Sequence, residues 1–305
     1  MPLGVVRSRP GSVSAALAAY YQASAWTHDL ADSSREWRRR ILEKFREEYG
    51  ARSLRDFERK HFQALLRKRT ANAQRNFVMA LRGFMAFAVK AELIDEDPTQ
   101  GVVKDKAKKG KGHVTWTEAM IEQYRERHQL GTQARLTMEI MLNLGVRVSD
   151  ARRIGPPDVR DGWLMDFEPQ KTRNSTGMTV TAPLADDLVE AIAATTVIGT
   201  KTYLVHSGGK AHGSAKSLSN KVRDWCDQAG LPDCSSHGLR KACLTRLANL
   251  GLDTRTIMGL SGHTNEAEVA RYVEAYNRRV AAARAVAAIN TLRTKGAQTS
   301  VNPAD

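Results

Sequence analysis

Between residues 12 and 98 apolar side chains recur three and four positions apart, the period of helices that bury one face. Four segments carry the pattern: SVSAALAAYYQASAW, SSREWRRRILEKFREEYG, SLRDFERKHFQALLRKR and TANAQRNFVMALRGFMAFAVKAEL. The second is expected to start from a Ser N-cap and end at Gly50. The third places Leu54, Phe57, His61, Leu65 and Leu66 on or beside one face, and the fourth stops at the Asp97-Pro98 break. Arg and Lys fill the outer positions, so residues 12–98 read as a small basic four-helix domain after an extension over residues 1–11.

Periodicity is lost over TQGVVKDKAKKGKGHVTW, and residues 99–114 read as a basic linker carrying Lys104, Lys106, Lys108, Lys109 and Lys111. From Thr115 the pattern is mixed. TWTEAMIEQYRERH and TQARLTMEIMLNLG are helical, while GWLMDFEPQKTRNSTGMTVTAPL reads as two short strands, Trp163 to Phe167 and Met178 to Thr181, with Lys171 near the turn. Five further helical segments follow, ending in an Ala-rich stretch, RRVAAARAVAAINTLR. The expectation is a mainly α chain: a four-helix domain at 12–98, a mixed, mostly helical domain with a small antiparallel sheet at 115–277, and a C-terminal helix and tail at 278–305.

Charge adds a partner to this outline. Lys and Arg outnumber Asp and Glu by 47 to 33. Residues 1–112 hold 23 of those bases against 13 acids, which concentrates the excess in the helical domain and linker. A polyanion is the natural partner, and nucleic acid the simplest one. Cys226, Cys234 and Cys243 form no CxxC pair, which fits a reducing compartment and gives no metal site. No apolar run is long enough for a signal peptide or a bilayer span, so a protein of the cytoplasm, away from membranes, is expected. HSGGKAHGSAKS lacks the phosphate-loop spacing, and neither HExxH, GxSxG nor a paired-acid magnesium cluster is present. No cofactor is expected.

What remains is cationic and imidazole chemistry beside a tyrosine. His237 and Arg240 stand three apart at the start of a predicted helix, where an anion is favoured. Arg147 follows another helix, in LGVRVSD; His263 lies in SGH, and Tyr272 in RYVEAY. The order Arg147, Lys171, His237, Arg240, His263, Tyr272 resembles that of the tyrosine recombinase, or phage integrase, family. The likeness spans about Thr115 to Tyr276, and the basic helices ahead resemble that family's SAM-like core-binding domain. In that family the nucleophilic Tyr stands nine residues past the Gly-His, which favours Tyr272 over Tyr276 one turn later.

The resemblance implies a site-specific DNA recombinase that cleaves and rejoins through a covalent 3′-phosphotyrosyl link, needing neither metal nor ATP. Tyr272 attacks, Arg147 and Arg240 hold the phosphoryl oxygens through their forked donors, His237 takes the phenolic proton, His263 donates to a phosphoryl oxygen, and Lys171 protonates the leaving 5′ oxygen. Asp150 orients the site. Lys241 stands where a His or Arg is common in the family, and Val269-Ala270 where a threonine often precedes the nucleophile. Double-stranded DNA is the implied partner, clamped by two domains with the basic linker on its backbone. Exchange of the C-terminal helix would give a homotetramer on two duplexes, with DNA-bending accessory proteins as further partners and the nucleoid as the place of action. A type IB topoisomerase-like nicking and resealing enzyme, and a catalytically silent DNA-binding protein, are the alternative readings.

Overall fold

A computed structural model of the protein describes residues 8–108, 110, 112–173, 177–206 and 208–298, with side chains as far as residue 290. The chain divides into two compact units, Met1–Gly110 and Lys111–Asp305. Each has its own apolar core.

In the first unit α1 (Val13–Tyr20), α2 (Ser24–Thr27), α3 (Asp32–Tyr49), α4 (Arg59–Arg67) and α5 (Ala71–Lys90) succeed one another. The face of α5 formed by Phe77, Val78, Leu81, Phe84, Met85 and Ala88 is wholly buried, against Leu17, Tyr20, Leu42 and Phe45 among others. Each large apolar side chain so enclosed contributes about 1.5–3 kcal/mol. Three expectations change. The first predicted helix is two, because the chain turns after Tyr20 and brings Trp26 back edge-on to the Tyr20 ring at 5.2 Å. Ala31, not a serine, stands at the N-cap of α3, and the Arg35 side chain donates to the Asp32 carboxylate and the Thr27 carbonyl instead. A 3-10 turn over Leu54–Asp56 precedes α4, and His61 accepts from the Glu58 backbone N–H (3.0 Å) in a capping box rather than joining the apolar face.

The start of the basic segment is tied to this unit. The Gln63 amide meets both backbone groups of Val103 (2.9 and 3.0 Å), and the Gln74 amide meets the Asp105 carboxylate and N–H (2.6 and 2.8 Å). Lys104, Lys106 and Lys108 are exposed; Lys109 and Lys111 lie outside the described residues.

The second unit runs α6 (Glu118–Arg127), α7 (Gln133–Leu144), α8 (Val148–Ala151), β1 (Val159–Arg160), β2 (Trp163–Phe167), β3 (Val180–Pro183), α9 (Asp186–Ala194), α10 (Ala215–Gln228), α11 (Ser236–Asn249), α12 (Thr254–Ser261) and α13 (Glu266–Gln298). Helix α7 is the central rod, buried from Ala134 to Leu144 except at Asn143 and Arg135. It encloses even Glu139, whose carboxylate is held by Arg135 (2.7 Å) and by the Arg125 fork (3.0 and 3.1 Å). The sheet is antiparallel in the order β1-β2-β3, one strand more than expected. Its last strand begins at Val180 because an irregularity between Leu164 and Phe167, with Asp166 at φ 46°, brings Phe167 opposite Val180.

The mainly helical architecture with a small antiparallel sheet is therefore as the sequence implies. The start of α13 packs on α11 and α12, burying Val269 and half-burying Tyr272, Val273 and Tyr276. Residues 281–290 are all exposed, Val286 and Ile289 included. Among the described residues no helix is long and apolar enough to cross a membrane.

Candidate active site

Arg240 organises the site. It lies one turn into α11, is only 5% exposed, and uses both arms of its guanidinium. Nη1 donates to the carbonyls of Gly145, just after α7, and Ser261, the last residue of α12 (3.1 Å for the latter). Nη2 lies 2.8 Å from His263 Nε2. Since Ser261 Oγ donates to the Ile257 carbonyl (2.7 Å), it accepts from His263 Nδ1 (2.7 Å), which leaves Nε2 to accept from Arg240. Burial and then the charges of Arg240, Arg147, Arg271 and Lys171 push His263 down to about 3, so its ring is neutral. In this arrangement the ring buttresses Arg240.

The Gly-His step has a backbone reason. Gly262 ends α12 in the left-handed region (φ 62°), and a Cβ there would stand 2.8 Å from the Val180 side chain. Only glycine satisfies both the turn and the close approach. The same contact sets His263 beside the sheet that carries Lys171.

Arg147 is the N-cap residue of α8, and among the described residues its guanidinium has no hydrogen-bond partner. Arg147, His237 and Arg240 together line a cavity of about 350 Å³. Burial, followed by His113, Lys241, Arg240 and Arg147, holds His237 below the usual imidazole range, so it is a free base at neutral pH. Arg240 is lowered to about 10, by burial and then by Arg147, and stays charged. A cavity lined by three guanidiniums, those of Arg147, Arg223 and Arg240, and by the neutral His237 imidazole suits a tetrahedral oxyanion whose neighbour must lose a proton.

Lys171 is exposed on the turn between β2 and β3. Asp150, 1% exposed, accepts the backbone N–H of the adjacent Gln170 (2.8 Å) and so anchors that turn to α8. Burial raises its carboxyl, opposed by that N–H and by Arg147, Arg153 and Arg240. Tyr272 is half-buried on α13; burial raises its hydroxyl, and the charges of Arg271 and Arg240 pull the other way. Tyr276 instead lies with its ring against the Gly251 turn.

Sequence reasoning missed the segment just before α6. His113 lines the same cavity, and its carbonyl accepts from Lys241 Nζ (2.8 Å). Trp116 is buried and donates to the Ser235 carbonyl (3.1 Å), while Val114 passes so close that a Cβ on Gly238 would be 2.2 Å from its carbonyl oxygen. The HVTW run offered a hint, an aromatic and an imidazole directly ahead of a helix, but a Lys-Gly surround reads as linker. Gly238→Ala is expected to destabilise the unit by about 1–3 kcal/mol through that clash, read as a lower urea midpoint at constant slope. Among the described residues no group of His, Cys, Asp and Glu side chains is arranged to hold a metal ion.

Comparison with known proteins accords with this geometry. Residues 117–279 match the model of the phage integrase family. That is more than half the chain, and the protein belongs to this family of tyrosine recombinases, enzymes of DNA strand transfer. Among solved structures it resembles a lambda integrase (75–356) dimer bound to a COC′ core site, at 18% identity over 86% of this chain and 95% of that one, TM-score 0.71. A lambda integrase tetramer bound to a Holliday junction gives 18% identity over 89% and 80%, TM-score 0.72. The Tn1549 transposon integrase (82–397) in complex with circular intermediate DNA gives 14% over 84% and 94%, TM-score 0.65. At these identities the likeness is one of fold. No curated protein matches the chain at a significant level.

Proposed function

We propose that the protein is a site-specific integrase that cleaves and rejoins double-stranded DNA through a 3′-phosphotyrosyl bond at Tyr272, without metal or ATP. The observation that carries this reading is the cavity where Arg147, His237 and Arg240 converge, with the Arg240 charge acting on Tyr272. The Tyr272 oxygen attacks phosphorus, its proton passing to His237, as the 5′ oxygen departs with a proton from Lys171. The fork of Arg147 and the charge of Arg240 stabilise the non-bridging oxygens, and His263 keeps Arg240 in register. The new phosphodiester conserves the energy of the old one, so a 5′ hydroxyl reverses the step on another strand.

The 12–98 helices and the 115–277 unit would clamp the duplex, with Lys104, Lys106, Lys108, Lys109 and Lys111 along its backbone. The solvent-facing Ala-rich end of α13 is marginal as a helix alone, which supports exchange with a neighbouring protomer. Homotetramers on two duplexes, at the nucleoid and with DNA-bending helpers, follow from that reading.

The test uses nicked duplexes tiled across the DNA that flanks the gene. In EDTA and without ATP, the full chain is expected to yield denaturant-resistant adducts and four-protomer junction complexes in mass photometry; a chain ending at Arg279 should keep the adducts and lose the tetramers. Adducts that require a divalent ion would overturn the chemistry, and tetramers from the shortened chain would overturn the exchange.

A further inference from the structure

The role of His113 rests on the reading of His237 as the base, and on residues 113–116, which precede the family match over residues 117–279. Residues 113–116 lie across the start of α11: Lys241 Nζ fixes the His113 carbonyl, Trp116 bonds Ser235, and Val114 is seated on Gly238, between the two reacting residues. On this strap the His113 ring lies 4.7 Å from the His237 ring, centroid to centroid, at 52°. Its Nδ1 is 3.1 Å from Ser235 Oγ, the N-cap of α11. The ring is thus held by the His237 ring and Ser235 Oγ while lining the cavity of about 350 Å³.

We propose that His113 is a positioning residue for His237: its ring packs on the base and holds it in the cavity facing the site of proton transfer. His237 is exposed in the first turn of α11 even with His113 beside it, and among the described residues no hydrogen bond from its own helix fixes its rotamer. An imidazole free to swing out loses its geometry for proton transfer, and misplacement by an ångström is costly. The groups facing His237 are Arg147 from α8, Arg223 from α10, Arg240 and Lys241 from α11, and His113 from the strap. All are cationic or become so on protonation. His113 covers one face of the His237 ring and adds a like charge when protonated, and each effect favours the neutral base.

The experiment compares His113→Ala, His113→Phe and His237→Ala in single-turnover adduct formation. The probe is a nicked duplex recovered from a randomised library by the wild-type chain, with affinity measured alongside. His113→Ala is expected to slow cleavage about 10-fold to 100-fold at unchanged affinity. Because His237 is held low, removing the covering ring and the charge raises its pKa, so the acid limb of the rate profile moves to higher pH. Phe preserves the ring contact; it should restore most of the rate and show the smaller shift. A His113→Ala rate within twofold of wild type with an unmoved acid limb would overturn the proposal, as would a loss confined to affinity. If His237→Ala itself cleaves at the wild-type rate, the base assignment fails and this inference falls with it; a slow His237→Ala beside an unaffected His113→Ala removes the inference alone.

Discussion

Tyr272→Phe is expected to abolish covalent DNA capture, by about 10⁴-fold or more, while leaving DNA affinity and folding near their wild-type values. The change removes one hydroxyl and nothing else. The ring stays packed against the cluster of Leu244, Ala248, Ile257 and Val269, so the stability cost should remain below about 1 kcal/mol. The rate collapses because no other group replaces the lost oxygen: the Tyr276 ring lies against the Gly251 turn. Tyr276→Phe accordingly keeps its adducts within a few-fold of wild type. Gel mobility in denaturant, run beside equilibrium binding, checks both variants.

Arg240→Lys is expected to lose activity and stability together. A lysine keeps the charge but is a point donor, and it cannot reach the Gly145 carbonyl, the Ser261 carbonyl and His263 at once. Two buried acceptors then go unsatisfied, at about 1–3 kcal/mol. Loss of a preorganised donor at the phosphoryl oxygens costs about 10²–10³ in cleavage rate. Arg147→Lys is the informative contrast. Its guanidinium has no hydrogen-bond partner among the described residues, so the same exchange should reduce the rate comparably while moving stability by less than about 0.5 kcal/mol. Single-turnover cleavage and urea unfolding on the two variants separate the roles.

The order of Arg147, Lys171, His237, Arg240, His263 and Tyr272 could be read from the chain because each sits at a punctuation mark: a helix start, a strand turn or a Gly-His step. The helical periods of α5 and α7 were equally plain, since one face of α5 and most of α7 are apolar. Less legible was anything set by tertiary contact. The break after Tyr20 follows from Trp26 packing on Tyr20, and the capping role of His61 from its Nδ1, neither of which periodicity encodes. Of the partners of the His263 ring, Ser261 lies in the SGH run, but Arg240 comes from another part of the fold and is not encoded there. His113 escaped notice because its partner is 124 positions away.

Everything proposed for the site turns on Tyr272 forming the bond to DNA. The most direct measurement is to trap the wild-type adduct on a nicked duplex, digest protein and DNA, and sequence the nucleotide-bearing peptide by mass spectrometry. A 3′-linked nucleotide is expected on the first residue of the peptide Tyr272–Arg278. A nucleotide on Tyr276 in that same peptide, or a 5′ linkage, would contradict it.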